Sequence, residues 1–220
     1  MSIEQQFSTP ELEREDLEDL LLLSEKEIEE LKARVEKWDG LIRIFVHPMY
    51  EKWWGKKNNE NKKLGKIIEV VAKLSSMEEE DTPPIIIMEE YDYINKLKNW
   101  LEHEIKDEFG LETNNKMYVI GTKIDSSDPE IPGSTMTVSE SWEQVRKLLE
   151  KIGVKKILIG GMQLTFSENE RGTYYHRCLG GAITQLSKDA NGYFEIELSN
   201  LSYPEGREEW RGLKDKKPRI

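Results

Sequence analysis

Four short segments of the chain are apolar on successive residues rather than on alternate ones. They are Leu41–Val46, which is interrupted by Arg43, then Ile85–Met88, Met117–Ile120 and Ile157–Ile159. A strand with this pattern has no face that can meet water, so it must be covered on both sides. Each segment is followed by a stretch whose apolar residues have helical spacing. The pattern predicts an α/β protein with three α/β/α layers around a mostly parallel sheet of about five to six strands.

The segment before the first strand has the pattern of an amphipathic helix. Thr9-Pro10-Glu11 is a helix-start signal and Asp39-Gly40 is a stop signal, so we expect one long N-terminal helix over residues 10–38. Its apolar stripe, which Ser24 interrupts, has heptad spacing and consists of Leu17, Leu21, Ile28, Leu31, Val35 and Trp38. Such a stripe either packs against the protein's own body or pairs with a second subunit. The second alternative predicts a homo-oligomer formed through the helix at 10–38.

These patterns divide the chain into three parts. Residues 1–39 form the N-terminal amphipathic helix, residues 40–204 form the α/β domain, and residues 205–220 have no periodicity and form a C-terminal tail.

Charge and composition restrict the classes of partner. The formal net charge is -11, and an acidic surface repels phosphate backbones, so we expect no nucleic-acid partner. No apolar run approaches the roughly 20 residues of a membrane helix, and the N-terminus has no basic start followed by an apolar segment. The single cysteine cannot form an internal disulfide. We therefore expect a cytoplasmic protein that binds no membrane and takes a small-molecule ligand.

A ligand of such a fold is expected at the C-terminal ends of the strands. Gly160 and Gly161 follow the fourth strand, and Gly180 lies near the start of a later helix. Glycine at these positions allows either a ligand to approach the backbone or a helix to pack tightly on the sheet. We expect Gly160, Gly161 and Gly180 to contribute to ligand binding.

Glu89 is a further candidate for ligand binding because it lies just beyond the second apolar segment. Carboxylates at strand ends either hold Mg²⁺ or cap the next helix, and the absence of tight D-x-D spacing favours capping. The first strand is not followed by a G-x-G-x-x-G motif. We therefore expect no metal and no cofactor.

Cys178 is the strongest candidate for catalysis. It lies near the start of a helix, where the helix dipole stabilises the nucleophilic thiolate and backbone N–H groups can bind an oxyanion. The alternative is a small buried residue at a contact between helix and sheet.

The order of elements over residues 41–200 resembles that of the isochorismatase-like cysteine hydrolases. In that family a lysine follows the third strand and a cysteine opens the helix after the fourth, and Lys123 and Cys178 stand at those places. The resemblance implies that Cys178 attacks a carbonyl carbon while Lys123 lowers the pKa of its thiol. The family's aspartate at the end of the first strand is absent, because that strand is followed by His47. We expect His47 to act as the base, since its ordinary pKa suits proton transfer.

Two functions follow as hypotheses. The first is a cysteine-dependent hydrolase of a small amide-like substrate, with Cys178, Lys123 and His47 as catalytic residues. The second is a non-catalytic α/β module that binds a small ligand or a protein and oligomerises through its N-terminal helix.

Overall fold

The computed structural model describes residues 23–48, 65–90, 93–122, 138–161, 166–168, 174–176, 178–187 and 193–198. The helices in these ranges are α1 (Glu25–Lys37), α2 (Gly65–Ser75), α3 (Ile94–Asn99, a π-helical turn at Trp100–Glu104, then Ile105–Phe109), α4 (Val138–Lys151) and α5 (Cys178–Leu186). The strands are β1 (Leu41–Val46), β2 (Ile85–Glu90), β3 (Met117–Thr122), β4 (Lys156–Gly161), β5 (Phe166–Glu168), β6 (Tyr174–His176) and β7 (Glu195–Leu198).

Five of the strands form one sheet in which every pair is parallel. The strand order is β3-β2-β1-β4-β7, so β1 is central and pairs with β2 on one side and β4 on the other. The α/β class with a parallel sheet that the apolar segments predict is confirmed. The chain moves outward from β1 through β2 to β3, then returns across the sheet to β4 and moves outward again to β7.

Both faces of the sheet are buried, which explains why the strands are apolar on successive residues. In β2, Ile86 and Met88 belong to one hydrophobic cluster, whereas Ile85 and Ile87 belong to the other. The helices α1, α4 and α5 contribute apolar residues to the first cluster, and α2 and α3 contribute to the second. The sheet therefore lies between two helical layers.

The helix α1 begins later than the sequence pattern indicates. The hydroxyl of Ser24 accepts a hydrogen bond from the backbone N–H of Glu27 at 3.3 Å, and the Glu27 carboxylate accepts one from the backbone N–H of Ser24 at 3.0 Å. This reciprocal pair is a capping box, which starts a helix. The prediction of one unbroken helix over 10–38 is therefore wrong at Ser24.

The described part of the apolar stripe packs inside the protein. Ile28, Leu31 and Val35 are buried in the same cluster as the first face of the sheet. The side chain of Arg34 also links α1 to the residues before β3, because it donates to the Asn115 side chain at 2.8 Å. These residues of the stripe are consequently used in contacts within the chain, whereas Leu17 and Leu21 lie outside the described residues.

Three strands extend further than their apolar segments. β2 continues through Glu89 to Glu90, β3 continues through Gly121 to Thr122, and β4 continues through Gly160 to Gly161. The polar segment between β4 and α5 contains an antiparallel pair, β5 with β6, which the sequence pattern does not predict. Among the described helices, none is both long enough and apolar enough to cross a bilayer.

Leu31 in α1 provides a test of this packing, since its side chain is fully buried. We expect Leu31→Ala to lower the free energy of unfolding by about 2–5 kcal/mol, because it removes buried methyl groups and leaves a cavity. The exposed Glu29 on the same helix gives the matched control, and Glu29→Ala should change that free energy by less than about 0.5 kcal/mol. Urea unfolding measures both, and equal stability of the two variants would contradict the packing of α1 on the sheet.

Candidate active site

The order of the strands identifies one place on the sheet where the connections diverge. The chain leaves β1 toward β2 and leaves β4 toward β7, in opposite directions. In open parallel sheets ligands bind in the crevice that such a divergence opens at the C-terminal ends of the strands. The candidate site is therefore the C-terminal edge of β1, β2 and β4.

His47 is the residue that follows β1 at this edge. It is fully buried and has a φ of 48°, which is the left-handed conformation that few residues other than glycine adopt. Its backbone N–H donates to the carbonyl oxygen of Met88 in β2 at 2.9 Å, so it continues the pairing of the two strands. A buried histidine in a strained conformation is typical of a position that the surrounding structure holds for function.

Gly160 and Gly161 are the last two residues of β4, and both are buried beside β1. Gly161 has a φ of 138°, a conformation that side chains other than glycine rarely adopt. A Cβ atom placed there would overlap the carbonyl oxygen of Val46 and would lie 2.7 Å from its nitrogen. Only glycine allows the two strands to approach this closely at the edge of the sheet.

Glu89 lies one residue before the end of β2 and is 1 % exposed. Its Oε1 atom accepts a hydrogen bond from the backbone N–H of Glu90 at 3.0 Å. Its Oε2 atom is buried and forms no hydrogen bond with any residue that the structure describes. Because β2 and β1 are paired as far as Met88 and Val46, Glu89 and His47 stand next to one another on adjacent strands.

Burial raises the pKa of the Glu89 carboxyl to about 8, since removal from water disfavours the charged form. The negative charge of Glu90 raises this pKa further, and the hydrogen bond from the Glu90 backbone lowers it by less than burial raises it. The carboxyl is consequently protonated at neutral pH. A buried ionisable group whose pKa lies near neutrality is a candidate for proton transfer.

The helix α5 packs on the sheet through Leu179, Ala182 and Ile183, which belong to the first hydrophobic cluster. Its C-terminal end is beside the start of β7, because the carbonyl oxygen of Leu186 accepts a hydrogen bond from Phe194 N–H at 3.1 Å. The nine residues of this helix span about 13.5 Å, less than the roughly 20 Å of a six-residue strand. Cys178 is the first residue of α5 and Gly180, the third, is buried. The Cys178 side chain is outside what the structure describes.

The structure thus brings together several of the residues that the sequence singles out. His47, Glu89, Gly160 and Gly161 are at the ends of three adjacent strands. Cys178 is the first residue of α5, which packs on the face of the sheet that contains Ile86 and Met88. Lys123 follows β3 directly but lies outside the described residues. Within the described ranges, no three metal-ligating side chains of His, Cys, Asp or Glu form a cluster.

Sequence reasoning missed two properties of this edge. One is the burial of Glu89, whose charge suggests a loop although β2 continues through it. The other is the β5–β6 pair that precedes α5, for which a signal exists: Phe166 and Tyr174–Tyr175 flank a polar stretch that contains Gly172, as in a hairpin. Both strands have only three residues, which is too short for a clear alternation.

No protein-family model matches this chain, and no curated protein or solved structure is significantly similar to it.

Gly161 allows a test of the close approach of β4 to β1. We expect Gly161→Ala to destabilise the fold strongly, because both the backbone conformation and the overlap with Val46 oppose a side chain. Gly110 is the matched control: its φ of 66° is also left-handed, but a Cβ atom there meets nothing within 4 Å. Gly110→Ala should cost only about 1–2 kcal/mol. Thermal unfolding compares the two, and equal losses would contradict the steric constraint at Gly161.

The pKa of Glu89 predicts how stability depends on pH. Its pKa is raised in the folded state, so the native protein holds a proton that the unfolded chain releases above its ordinary value of 4.5. The free energy of unfolding therefore contains a contribution that falls as pH rises from about 4.5 to about 8, at up to about 1.4 kcal/mol per pH unit. Glu89→Gln should remove this contribution.

The measurement is urea unfolding of wild type and Glu89→Gln at several pH values between 5 and 9, with Glu29→Gln as an exposed control. We expect Glu89→Gln to gain stability relative to wild type as pH rises, and Glu29→Gln to follow wild type. A constant difference between wild type and Glu89→Gln across this range would show that the carboxyl is not held protonated.

Proposed function

We propose that this protein is a cysteine-dependent hydrolase of a small amide-like substrate, with Cys178 as the nucleophile. The observation that supports it best is the position of Cys178 as the first residue of α5, a helix that packs on one face of the parallel sheet. At the N-terminus of a helix the thiolate is stabilised, which lowers the thiol pKa and provides the reactive form.

The proposed reaction has two halves. The Cys178 sulfur attacks the carbonyl carbon of the substrate while His47 takes the thiol proton. His47 then gives this proton to the nitrogen as the carbon–nitrogen bond breaks, so that a neutral amine leaves and a thioester remains that water then hydrolyses. Backbone N–H groups near Gly160–Gly161 and Gly180 would stabilise the negative charge on the carbonyl oxygen. By the resemblance to the isochorismatase-like hydrolases, Lys123 would lower the pKa of the Cys178 thiol.

His47 is proposed as the base because it occupies the end of β1, the place where that family has an aspartate. It is the residue directly after the strand, and it is fully buried there. An imidazole can accept a proton from the thiol and hold it near neutral pH. The proposal therefore replaces an aspartate by a histidine in the same position of the fold.

The competing hypothesis is a non-catalytic module that oligomerises through its N-terminal helix. It loses part of its motivation because Ile28, Leu31 and Val35 are buried against the protein's own sheet. A homo-oligomer that pairs through the stripe would use its remaining residues, Leu17, Leu21 and the half-buried Trp38. We also propose a cytoplasmic location, because a nucleophilic thiol must remain reduced.

Cys178 is the single cysteine, so its reactivity can be measured without ambiguity. We expect iodoacetamide to alkylate it with a pH dependence whose midpoint lies well below the ordinary thiol pKa of about 8.5. The same protein in urea is the reference, since unfolding removes the helix terminus. Mass spectrometry follows the single added group, and a midpoint equal to that of the unfolded chain would contradict an activated thiol.

The matching test of activity uses 4-nitrophenyl acetate. We expect the wild-type protein to form an acetyl group on Cys178 and to turn the ester over, and we expect Cys178→Ala to do neither. Hydrolysis by Cys178→Ala at the wild-type rate would overturn the proposed function.

A further inference from the structure

We propose that residues 199–220 pack over the part of the sheet that α2 and α3 leave uncovered, on the side of β4 and β7 that faces the second hydrophobic cluster. We call this part the open face and define it by Arg43, Lys156, Leu158, Glu195 and Glu197. The inference concerns how the chain completes its own sheet, and it does not depend on the proposed hydrolase activity.

The pairing of β4 with β7 assigns the residues of both strands to the two faces of the sheet. In β4, Ile157 and Ile159 belong to the first hydrophobic cluster. Their partners in β7 are Ile196 and Leu198, which pack against the same cluster. Because successive side chains of a strand point to opposite faces, the alternate residues of β4 and β7, which are those of the open face, lie on the side of the second cluster.

The second helical layer is narrower than the first. The hydrophobic cluster to which α2 and α3 contribute reaches Phe45 of β1 and contains no residue of β4 or β7. Leu158, which is paired with Arg43 in the register of the sheet, is half-buried, and Glu195 and Glu197 are exposed. On the opposite face the two isoleucines of β4 are fully buried. The described helices therefore cover β4 on one face only.

The sequence of β4 indicates that its second face is also covered. Ile157, Leu158 and Ile159 are apolar on successive residues, which is typical of a strand that meets water on neither side. Leu158 belongs to neither of the two hydrophobic clusters of described residues. We therefore expect its apolar partner to come from a part of the chain outside the described ranges.

Residues 199–220 are suitably placed to provide this cover. They follow Leu198, the last residue of β7, so the segment starts at the edge of the sheet that borders the open face. Its 22 residues span up to about 70 Å when extended, whereas β7 and β1 are only about 10 Å apart. Since α5 already packs on the first face, the uncovered side of β4 and β7 is the second.

The composition of the segment matches the open face in polarity and in charge. Trp210 and Leu213 provide large apolar side chains for contact with Leu158. Residues 207–220 contain six basic and three acidic side chains, although the whole chain has a net charge of -11. The two carboxylates of β7 are both close to Lys156, at 3.3 Å and 2.9 Å, and this one cation can neutralise only one of them. A basic segment is therefore electrostatically complementary to the edge of the open face.

A second copy of the chain fits this edge less well. Antiparallel pairing of two β7 strands about a two-fold axis would place Glu195 of one copy opposite Glu197 of the other. Like charges directly opposite one another on adjacent strands are destabilising. The segment that follows β7 in the same chain brings the opposite charge to the same place.

Zero-length crosslinking with a carbodiimide tests which segment meets the open face. The reagent joins a carboxylate to a lysine amine that is in contact with it. In the intact chain we expect amide bonds from Glu195 or Glu197 to lysines of the segment, which are Lys214, Lys216 and Lys217. The bond from Lys156 to Glu197 is the internal control, because Lys156 Nζ and Glu197 Oε2 are 2.9 Å apart.

The same experiment distinguishes the other possible occupants of the open face. Mixing isotopically labelled and unlabelled protein before the reaction separates bonds within one chain from bonds between two chains. Bonds between two chains would assign the open face to a second copy. Bonds to the lysines that precede α2 would assign it to residues 49–64; these lysines are Lys52, Lys56, Lys57, Lys62 and Lys63. Either result, or formation of the control bond alone, would overturn the proposal.

Hydroxyl-radical labelling of Trp210 tests the apolar contact. We expect Trp210 to be labelled several-fold more slowly in the native protein than in urea, and Leu158→Asp to remove most of this protection. Leu158→Thr, whose side chain suits a strand, should change the labelling in the same direction and is the milder variant. Trp142, which is buried in the first cluster, stays protected in any variant that is folded. Native Trp210 labelled as fast as in urea, or equally protected in wild type and both folded variants, would overturn the proposal.

Discussion

The close pairing of β1 with β4 is the contact on which the rest of this structure depends. β1 is hydrogen-bonded to β2 on one side and to β4 on the other, and its side chains contribute to the hydrophobic clusters on both faces of the sheet. The glycine conformation at Gly161 lets β4 run alongside Val46 to the last residue of the pair. Because the connections after β1 and β4 then turn in opposite directions, a place for a ligand arises from the topology itself.

Burial at this edge has a chemical consequence as well as a structural one. The same apolar surroundings that stabilise the sheet also surround His47 and Glu89, which follow apolar residues on β1 and β2. A charged carboxylate in such a place would cost several kcal/mol, so the group takes up a proton instead. The raised pKa of Glu89 is therefore produced by burial in the core and requires no dedicated partner.

The fold could be predicted largely because four separate apolar segments each indicate a strand that is buried on both faces. Every apolar segment that we identified is a strand, and β1 has the predicted bounds of Leu41–Val46. The sequence was misleading where a residue's usual environment differs from its actual one. Glu89 and Gly161 are residue types typical of loops, but they lie within β2 and β4. Ser24 lies within a helical pattern of apolar residues, but it is the N-cap at which α1 begins. For the site, the order of His47, Glu89, Gly161 and Cys178 could be predicted. The placement of His47, Glu89 and Gly161 at neighbouring strand ends depends on strand order, which a single sequence does not encode.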